Sequence, residues 1–183
     1  MIGNDIIDVS LAKTQSNWER RGFLEKQFTE KEQVTIHVSE NPFETVWRMW
    51  SMKESAYKIV AQQEERRFYA PKKFECELTS LDKGFVCFQD EKFYTITELN
   101  TFFIHTVARL EKETKAYTEI GSPYKVDKNI KKKLQEKTGV LASEIEQIKS
   151  DVGAPNYYHN DKLLLQSCSI SHHGNYGAFS LLF

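Results

Sequence analysis

The chain has 183 residues, of which 40% are hydrophobic and 28% are charged, and its formal net charge is −1. This length suits one large domain or two small ones, and the balanced charge excludes a general attraction to nucleic acid or to anionic membranes. No apolar run approaches the ~20 residues that a membrane-spanning helix needs. The first residues, MIGNDIID, lack the basic and apolar regions of a secretory signal, and the three cysteines form no CxxC pair. We therefore expect a reduced, cytoplasmic protein.

The first third of the chain predicts a strand followed by helices. Residues 2–9 are rich in β-branched side chains and predict a strand that carries Asp5 and Asp8. Residues 17–38 predict a helix, because apolar side chains recur near one face and Glu/Lys pairs suit the solvent. Pro42 fits the first turn of a second helix, which we expect to end near Gln63.

The rest of the chain predicts mainly strands. Four segments after Pro71 alternate or are rich in β-branched and aromatic residues: KKFECELTS, GFVCFQD, KFYTITEL and FFIHTVARL. The basic segment KVDKNIKKKLQEKTG predicts a helix that ends at Gly139, and LASEIEQIKSD predicts a helical turn or a strand. VGAPNYYHND predicts a loop, and two apolar stretches around HHGN complete the chain. This order predicts an α+β fold, with halves at residues 1–112 and 113–183.

The second predicted helix contains WRMWSMKESAYK, in which Lys53, Glu54 and Lys58 interrupt an otherwise apolar sequence. Glu54 and Lys58 are four residues apart, so one interpretation is a surface salt bridge that contributes about 0.3–0.5 kcal/mol. Apolar side chains cover most of this helix, however, and a buried carboxylate must be paired or must bind a metal. The alternative is a carboxylate and an ammonium at the edge of a pocket.

Other polar residues could complete such a site. Asp5 is either a strand-end residue or, with Glu54, one of two hard oxygen ligands, a set that suits Mg²⁺ bound together with a phosphate. The segment SISHHGNYGAF places Ser171 and His172 before a glycine, which predicts either a polar turn or hydrogen-bond donors to an anion. The run KNIKKKLQEK is either a solvated helix face or a surface for an anionic partner.

Four segments together resemble the 4′-phosphopantetheinyl transferase superfamily. IGNDIID is similar to the first metal motif of that family, G-x-D, and WSMKESAYK is similar to its W-x-x-K-E-x-x-x-K motif. FLEKQFTEKE resembles the F-x-x-R/K-x-F-T-x-x-E stretch of the holo-acyl-carrier-protein synthase branch. VGAPNYY and SISHHGNYGAF resemble the G-K-P and S-H-S-G block, which precedes the other motifs in surfactin-type members and follows them here.

The resemblance implies a fold and an assembly state. It implies two similar halves, each with an antiparallel sheet packed against helices, related by a pseudo-twofold axis and joined in the reverse of the surfactin-type order. It also implies a monomer that forms one site between its own halves.

The resemblance also implies a reaction and its residues. The 4′-phosphopantetheine arm of coenzyme A would be transferred to a serine of an acidic apo acyl or peptidyl carrier protein, with release of 3′,5′-ADP. Asp5 and Glu54 would hold Mg²⁺, Glu54 would also help to deprotonate the serine, and Lys58 would stabilise the pyrophosphate. The implied contacts with coenzyme A are Lys53, Lys58, Lys125, Ser171 and His172. No nucleic acid or membrane partner is implied.

Three positions depart from the family pattern. Ile7 stands where surfactin-type members have a second acid, Ala154 replaces the lysine of G-K-P, and Asn4 replaces the usual isoleucine. Lys125 could compensate for the missing lysine. These departures leave open a non-catalytic member of the fold that binds coenzyme A or a carrier protein. A metal-dependent hydrolase of pyrophosphate-linked nucleotides would use the same carboxylates, but it would explain neither Lys58 nor the C-terminal histidines.

Overall fold

The computed structural model of the protein describes residues 1–183 as five helices and eleven strands. The helices are α1 (Val9–Gln15), α2 (Phe23–Gln27), α3 (Glu30–Val38), α4 (Pro42–Gln63) and α5 (Val126–Thr138). The first strands are β1 (Ile2–Asp8), β2 (Glu75–Leu78), β3 (Lys83–Phe88), β4 (Glu91–Leu99), β5 (Phe103–Arg109) and β6 (Tyr117–Gly121). The later strands are β7 (Glu146–Lys149), β8 (Pro155–His159), β9 (Lys162–Leu163), β10 (Ser167–His173) and β11 (Tyr176–Leu182).

Three antiparallel sheets organise these strands and confirm the predicted α+β class. The largest sheet has the order β1-β5-β4-β3-β2, and the others have the orders β10-β11-β6 and β7-β8-β9. A core of 19 buried residues, between positions 7 and 108, forms where α4 packs on the largest sheet. A second core of nine residues, between positions 126 and 181, forms where α5 packs on β11. The division at 112/113 stays a prediction.

The long helix predicted for residues 17–38 is two short helices, so that prediction was wrong in its continuity. Phe28 is extended and separates α2 from α3. The hydroxyl oxygen of Thr29 accepts a hydrogen bond from the Glu32 amide, and the Glu32 carboxylate accepts one from the Thr29 amide. This capping box starts a new helix at Glu30, and its T-x-x-E signature is visible in the sequence.

One further prediction, for the second half, was wrong. The segment VGAPNYYHND contains β8, which pairs with β7 and β9, although its Gly, Pro and Asn content predicts a loop. Tyr157 explains the difference, because its ring is fully buried in the second core and strand pairing holds it there. Residues Tyr117–Gly121, for which the sequence predicted no element, form β6, which pairs with β11 as the third strand of the β10-β11-β6 sheet. The helix ending at Gly139 is confirmed, with this glycine at φ 77°.

Helix α4 lies unusually close to β1 because of a glycine. A Cβ atom at Gly3 would collide with the carbonyl group of Ser55. The hydroxyl of Ser55 donates to the carbonyl of Thr106 at 3.0 Å, which fixes the same turn of the helix on β5. The glycine of the IGNDIID motif therefore sets the distance between the strand that carries Asp5 and the helix that carries Glu54.

The edges of the two larger sheets meet at β1 and β10. Side chains of β10, instead of its backbone, accept hydrogen bonds from β1 amides. The three bonds run from Ile2 to Ser167 Oγ (3.1 Å), from Asn4 to Ser169 Oγ (2.9 Å) and from Asp8 to His173 Nδ1 (2.9 Å). All three pairs are separated by 165 positions, so the two strands run in the same direction. We call this set of bonds the side-chain ladder.

Asp8 fixes one end of this junction, where β1 and β10 both end. Its Oδ1 accepts from the Leu11 amide and caps α1, and its Oδ2 accepts from the Asn175 amide in the turn after β10. The turn residue Gly174 has φ 56°, and a Cβ there would collide with the Asp8 carboxylate. Asp8 therefore has a structural role.

Lys53 faces the interior of the first half. Its ammonium forms an ion pair with Glu32 at 2.8 Å, with both side chains 2% exposed. It also donates to the carbonyls of Pro71 and Phe74. Besides the Thr29 amide, the Glu32 carboxylate also accepts a hydrogen bond from the Cys76 amide, at 2.7 Å. This pair joins α3, α4 and the start of β2.

No helix of the structure combines the length and the apolar character needed to cross a membrane.

Removing the Glu32 carboxylate should be strongly destabilising. We expect Glu32→Ala to lower the free energy of unfolding by about 3–5 kcal/mol, because it leaves the buried Lys53 ammonium without its partner. Glu30→Ala, at an exposed position of the same helix, is the matched control and should cost at most about 1 kcal/mol. Urea unfolding followed by circular dichroism measures both variants. Equal losses in the two would contradict this role of Glu32.

The side-chain ladder offers a second pair of variants. Ser169→Ala leaves the buried Asn4 amide without an acceptor and should cost about 1–3 kcal/mol. Ser171→Ala should be nearly neutral, because the buried Ser171 hydroxyl has no hydrogen-bond partner in the structure. Thermal and urea unfolding compare them. A Ser171 variant that is as unstable as the Ser169 variant would refute the proposed difference.

Candidate functional site

Three of the residues selected from the sequence meet at the junction of the halves. Asp5 projects from β1 towards α4, which carries Glu54 and Lys58 one turn apart. The Lys58 ammonium is 3.8 Å from Oδ1 of Asp5, and the two side chains are 28% and 17% exposed. The Ser51 hydroxyl, one turn earlier on α4, donates to the Asp5 carbonyl at 3.4 Å. The site is therefore half-buried, with one edge open to solvent.

Lys58 is held by the backbone of both halves. Its ammonium donates to the carbonyl of Asn4 on β1 at 2.6 Å and to the carbonyl of Ile170 on β10 at 3.3 Å. An ammonium has three donors, so two are used by carbonyls and the third remains for the Asp5 carboxylate or for a ligand. The position of Lys58 thus depends on the docking of β10 against β1.

The charges of the site interact strongly. Burial and the negative charge of Asp5 raise the pKa of Glu54 from 4.5 to about 7, against the opposing effect of Lys58. Burial also raises the pKa of Asp5, and Lys58 again opposes the change. Burial lowers the pKa of Lys58, which the two carboxylates partly offset. One ammonium therefore does not fully compensate two carboxylates that lie partly out of water.

These donors fit a hard divalent cation. The structure contains no cluster of three or more His, Cys, Asp or Glu side chains suited to a metal, so a site with only protein ligands is absent. Asp5 and Glu54 nevertheless provide two carboxylates with incompletely compensated charge. Mg²⁺ commonly binds through one or two carboxylates and keeps its other positions for water and substrate phosphates. The chemistry of this pair therefore fits Mg²⁺ with a phosphorylated substrate.

His105 on β5 lies behind the site and was not selected from the sequence. Its Nε2 is 3.4 Å from Nδ2 of the buried Asn4. Burial and the positive charge of Lys58 lower the pKa of His105 to about 4. The imidazole is therefore neutral near pH 7, and it contributes packing and a hydrogen bond without a second positive charge.

Ser171, His172 and His173 occupy successive positions near the end of β10. Ser171 is 5% exposed and its hydroxyl has no hydrogen-bond partner. His173 accepts from the Asp8 amide and interacts electrostatically with Asp5. His172 is exposed and, because successive strand residues alternate, projects to the opposite face from its neighbours. The structure therefore brings His173 and not His172 close to the carboxylates.

Two predicted coenzyme A contacts lie outside this group. The Lys53 ammonium is buried and its donors bind Glu32 and two backbone carbonyls, so none is left for a phosphate in this structure. Sequence spacing could not detect this, because Lys53 is next to Glu54 but points to another side of α4. Lys125 lies in an exposed turn before α5 and does not line the pocket beside Lys58. It therefore does not occupy the place expected for the missing lysine.

Two pockets flank α4 and share Tyr57. The first, of about 260 Å³, lies beside Lys58. Its lining residues are Tyr57, Lys58, Ala61, Gln62, Arg67, Val152, Gly153, Ala154, Pro155, Cys168, Ser169 and Ile170. The second, of about 180 Å³, is lined by Lys53, Glu54, Tyr57, Phe68, Tyr69, Ala70, Pro71 and Phe74. Arg67 was missed from the sequence because it lies beyond the end of α4. It reaches residues 153–155, which we call the GAP segment, only through the folding of the chain.

A comparison with known protein families finds a match over the first part of the chain. The sequence model of the 4′-phosphopantetheinyl transferase superfamily matches residues 1–109. Among solved structures, the holo-[acyl-carrier-protein] synthase of Thermotoga maritima aligns with 81% of this chain and 76% of its own, at 16% sequence identity and a TM-score of 0.47. A search of curated proteins finds no match.

The superfamily match spans well over half of the 183 residues. It includes the strand with Asp5, the capping segment before α3 and the whole of α4 with Glu54 and Lys58. The chain therefore belongs to the 4′-phosphopantetheinyl transferase superfamily.

Proposed function

We propose that the protein transfers the 4′-phosphopantetheine arm of coenzyme A to a serine of an apo acyl or peptidyl carrier protein, in a Mg²⁺-dependent reaction that releases 3′,5′-ADP. The observation that supports this most directly is the convergence of Asp5, Glu54 and Lys58 at the junction of the two halves. Two carboxylates and one ammonium beside a pocket suit a pyrophosphate and its metal.

Glu54 is the general base of the proposed reaction. Without a metal, burial and the Asp5 charge raise the pKa of Glu54 to about 7, and a bound Mg²⁺ would lower it and keep the side chain as the carboxylate that a base requires. The serine oxygen of the carrier attacks the phosphorus atom next to the pantetheine arm, and the serine proton passes to Glu54, directly or through water. The bond from that phosphorus to the bridging oxygen breaks, and 3′,5′-ADP leaves with the electron pair.

Lys58 stabilises the negative charge that moves to the leaving phosphate. Carbonyls of Asn4 and Ile170 fix its ammonium before substrate arrives, so little reorganisation is needed during the reaction. Asp5 keeps the ammonium charged by opposing the effect of burial. The Ser171 hydroxyl, which is buried and unpaired, is a further donor available to a phosphate.

Asp5 and Glu54 would hold the Mg²⁺ of the proposed reaction. When bound, Mg²⁺ would neutralise charge on the pyrophosphate. The residues of this chain then provide the orientation, because α4 and β1 fix the two carboxylates relative to Lys58.

The proposed partner is an acidic carrier protein. Basic residues just before and within α2 provide a surface of the opposite charge. Arg20, Arg21 and Lys26 are exposed and lie close together in the sequence near the start of the helical region. Such a local positive surface can steer an acidic protein even when the net charge of the enzyme is near zero. We propose that a single copy of the chain acts in the cytoplasm.

The alternative is a non-catalytic protein that binds coenzyme A or the carrier. It is favoured by Ala154, which places a methyl group in the first pocket where the related motif has a lysine. Binding of coenzyme A without any transfer would distinguish this alternative from the enzyme.

Incubation with coenzyme A, MgCl₂ and several apo carrier proteins tests the enzyme directly. Mass spectrometry should detect one phosphopantetheine arm on the carrier. Glu54→Gln should lower the transfer rate at least about 100-fold through loss of a general base and a metal ligand. EDTA should abolish transfer by the wild type, and excess MgCl₂ should restore it. A Glu54→Gln variant with normal activity would rule out the assigned role.

The pH dependence of stability provides an independent check on Glu54. Because folding raises its pKa, its contribution to stability is fully present below pH 4.5 and is lost as the pH rises through about 7. Relative to wild type, Glu54→Gln should therefore gain up to about 3 kcal/mol over this interval, at about 1.4 kcal/mol per pH unit.

Urea unfolding at several pH values in EDTA measures this difference. Parallel stability curves for the two proteins would show that Glu54 is not in the described environment. Added MgCl₂ should stabilise wild type more than Glu54→Gln, because the variant lacks one carboxylate.

A further inference from the structure

The first pocket has a charge composition that selects anions. Its lining includes the cations Lys58 and Arg67, and no Asp or Glu side chain. The amide of Gln62 and the hydroxyl of Ser169 add polar groups. A cavity of about 260 Å³ with two cations and no acid suits a phosphate group and part of the molecule that carries it.

Arg67 is fixed over the GAP segment by two contacts. Its Nε donates to the carbonyl of Val152 at 3.1 Å. A side chain at Gly153 would collide with the guanidinium, and this glycine has φ 84°. The glycine thus permits the guanidinium to lie directly against the loop, and Arg67 forms no ion pair with a carboxylate in the structure. A guanidinium fixed in this manner is well suited to bidentate binding of phosphate.

Acidic residues lie on the other side of Ala154. A neighbouring pocket shares Gln62, Val152 and Ala154 with the first one, and it contains Glu65 and Asp151. These carboxylates disfavour an anion there. An anion near this surface is therefore directed to the side where Lys58 and Arg67 lie.

We infer that Arg67 binds a phosphate group of the phosphopantetheine donor in this pocket. The anion-binding role follows from the pocket, whereas the identity of the ligand rests on the proposed function. Arg67 thus supplies a cation beside Ala154, at a position that the sequence motif does not mark. Lys58 lies at the end of the pocket next to the carboxylates, so the donor extends from the reacting centre to Arg67.

Calorimetry with 3′,5′-ADP and, separately, inorganic pyrophosphate tests this role in EDTA, where metal-bridged binding is removed. Arg67→Gln should weaken the binding of 3′,5′-ADP about tenfold. Arg66→Gln is the matched control, because Arg66 is paired with Glu64 at 2.7 Å and lies over the Phe68 ring, outside the pocket. Arg67→Gln/Ala154→Lys restores a cation to the same pocket and should recover much of the affinity.

Steady-state kinetics give a second readout. Arg67→Gln should raise the KM for coenzyme A about tenfold and change kcat less than about twofold, because the residue binds the donor away from the transferred phosphate. Arg67 is exposed, so its substitution should leave the thermal unfolding curve unchanged.

The outcomes separate this inference from the proposed function. If wild type transfers no arm but binds pyrophosphate, and Arg67→Gln loses that binding, the anion site stands and the proposed function fails. If wild type transfers the arm and Arg67→Gln retains full affinity for both probes, the function stands and the anion site is refuted. Absence of binding of both probes to wild type also refutes the anion site.

Discussion

The structure depends on an edge of a sheet that is closed by side chains. Strand β1 ends the five-stranded sheet, so one row of its amides and carbonyls has no strand partner. An open edge of this kind is unstable unless it is covered or paired. The side-chain ladder satisfies the amides through hydroxyl and imidazole groups of β10, and the Lys58 ammonium satisfies a carbonyl. The candidate site lies beside this junction, where Lys58 reaches a carbonyl of each strand.

The contact between β1 and β10 determines both the stability of the fold and the geometry of the candidate site. Lys58 reaches carbonyls from both halves, so its geometry exists only when the halves are docked. The ionised carboxylates of Asp5 and Glu54, in contrast, reduce the stability of the folded protein. Burial raises the pKa of both groups, so their ionised forms are costly. The protein therefore accepts a local loss of stability at the site, and the cores on either side of the junction offset it.

The sequence predicted the parts of the fold that local patterns encode. Pro42 and the apolar spacing that follows it indicated α4, and Gly139 indicated the end of α5. The burial of Tyr157 in β8 depends on its pairing with β7 and on packing in the second core, so Pro155–His159 was misassigned as a loop. For the site, the motif resemblance selected Asp5 and Glu54, which the structure places in electrostatic contact. Arg67 has no periodic or motif signal, since only tertiary folding brings it to Gly153.

Lys53 and Lys58 show why proximity in a motif does not define a common role. Both lie on α4 beside Glu54, and both ammoniums bind two carbonyls and face one carboxylate. The Lys53–Glu32 pair is 2% exposed on each side and is at 2.8 Å, so all donors of Lys53 are used within the protein. The Lys58–Asp5 pair is at 3.8 Å and remains partly exposed, so its third donor is only loosely engaged. A short, fully buried pair fixes structure, whereas a longer pair at an open edge retains charge for a ligand. The two lysines are five positions apart, which is about 1.4 turns of helix, so their side chains leave α4 in different directions and meet different partners.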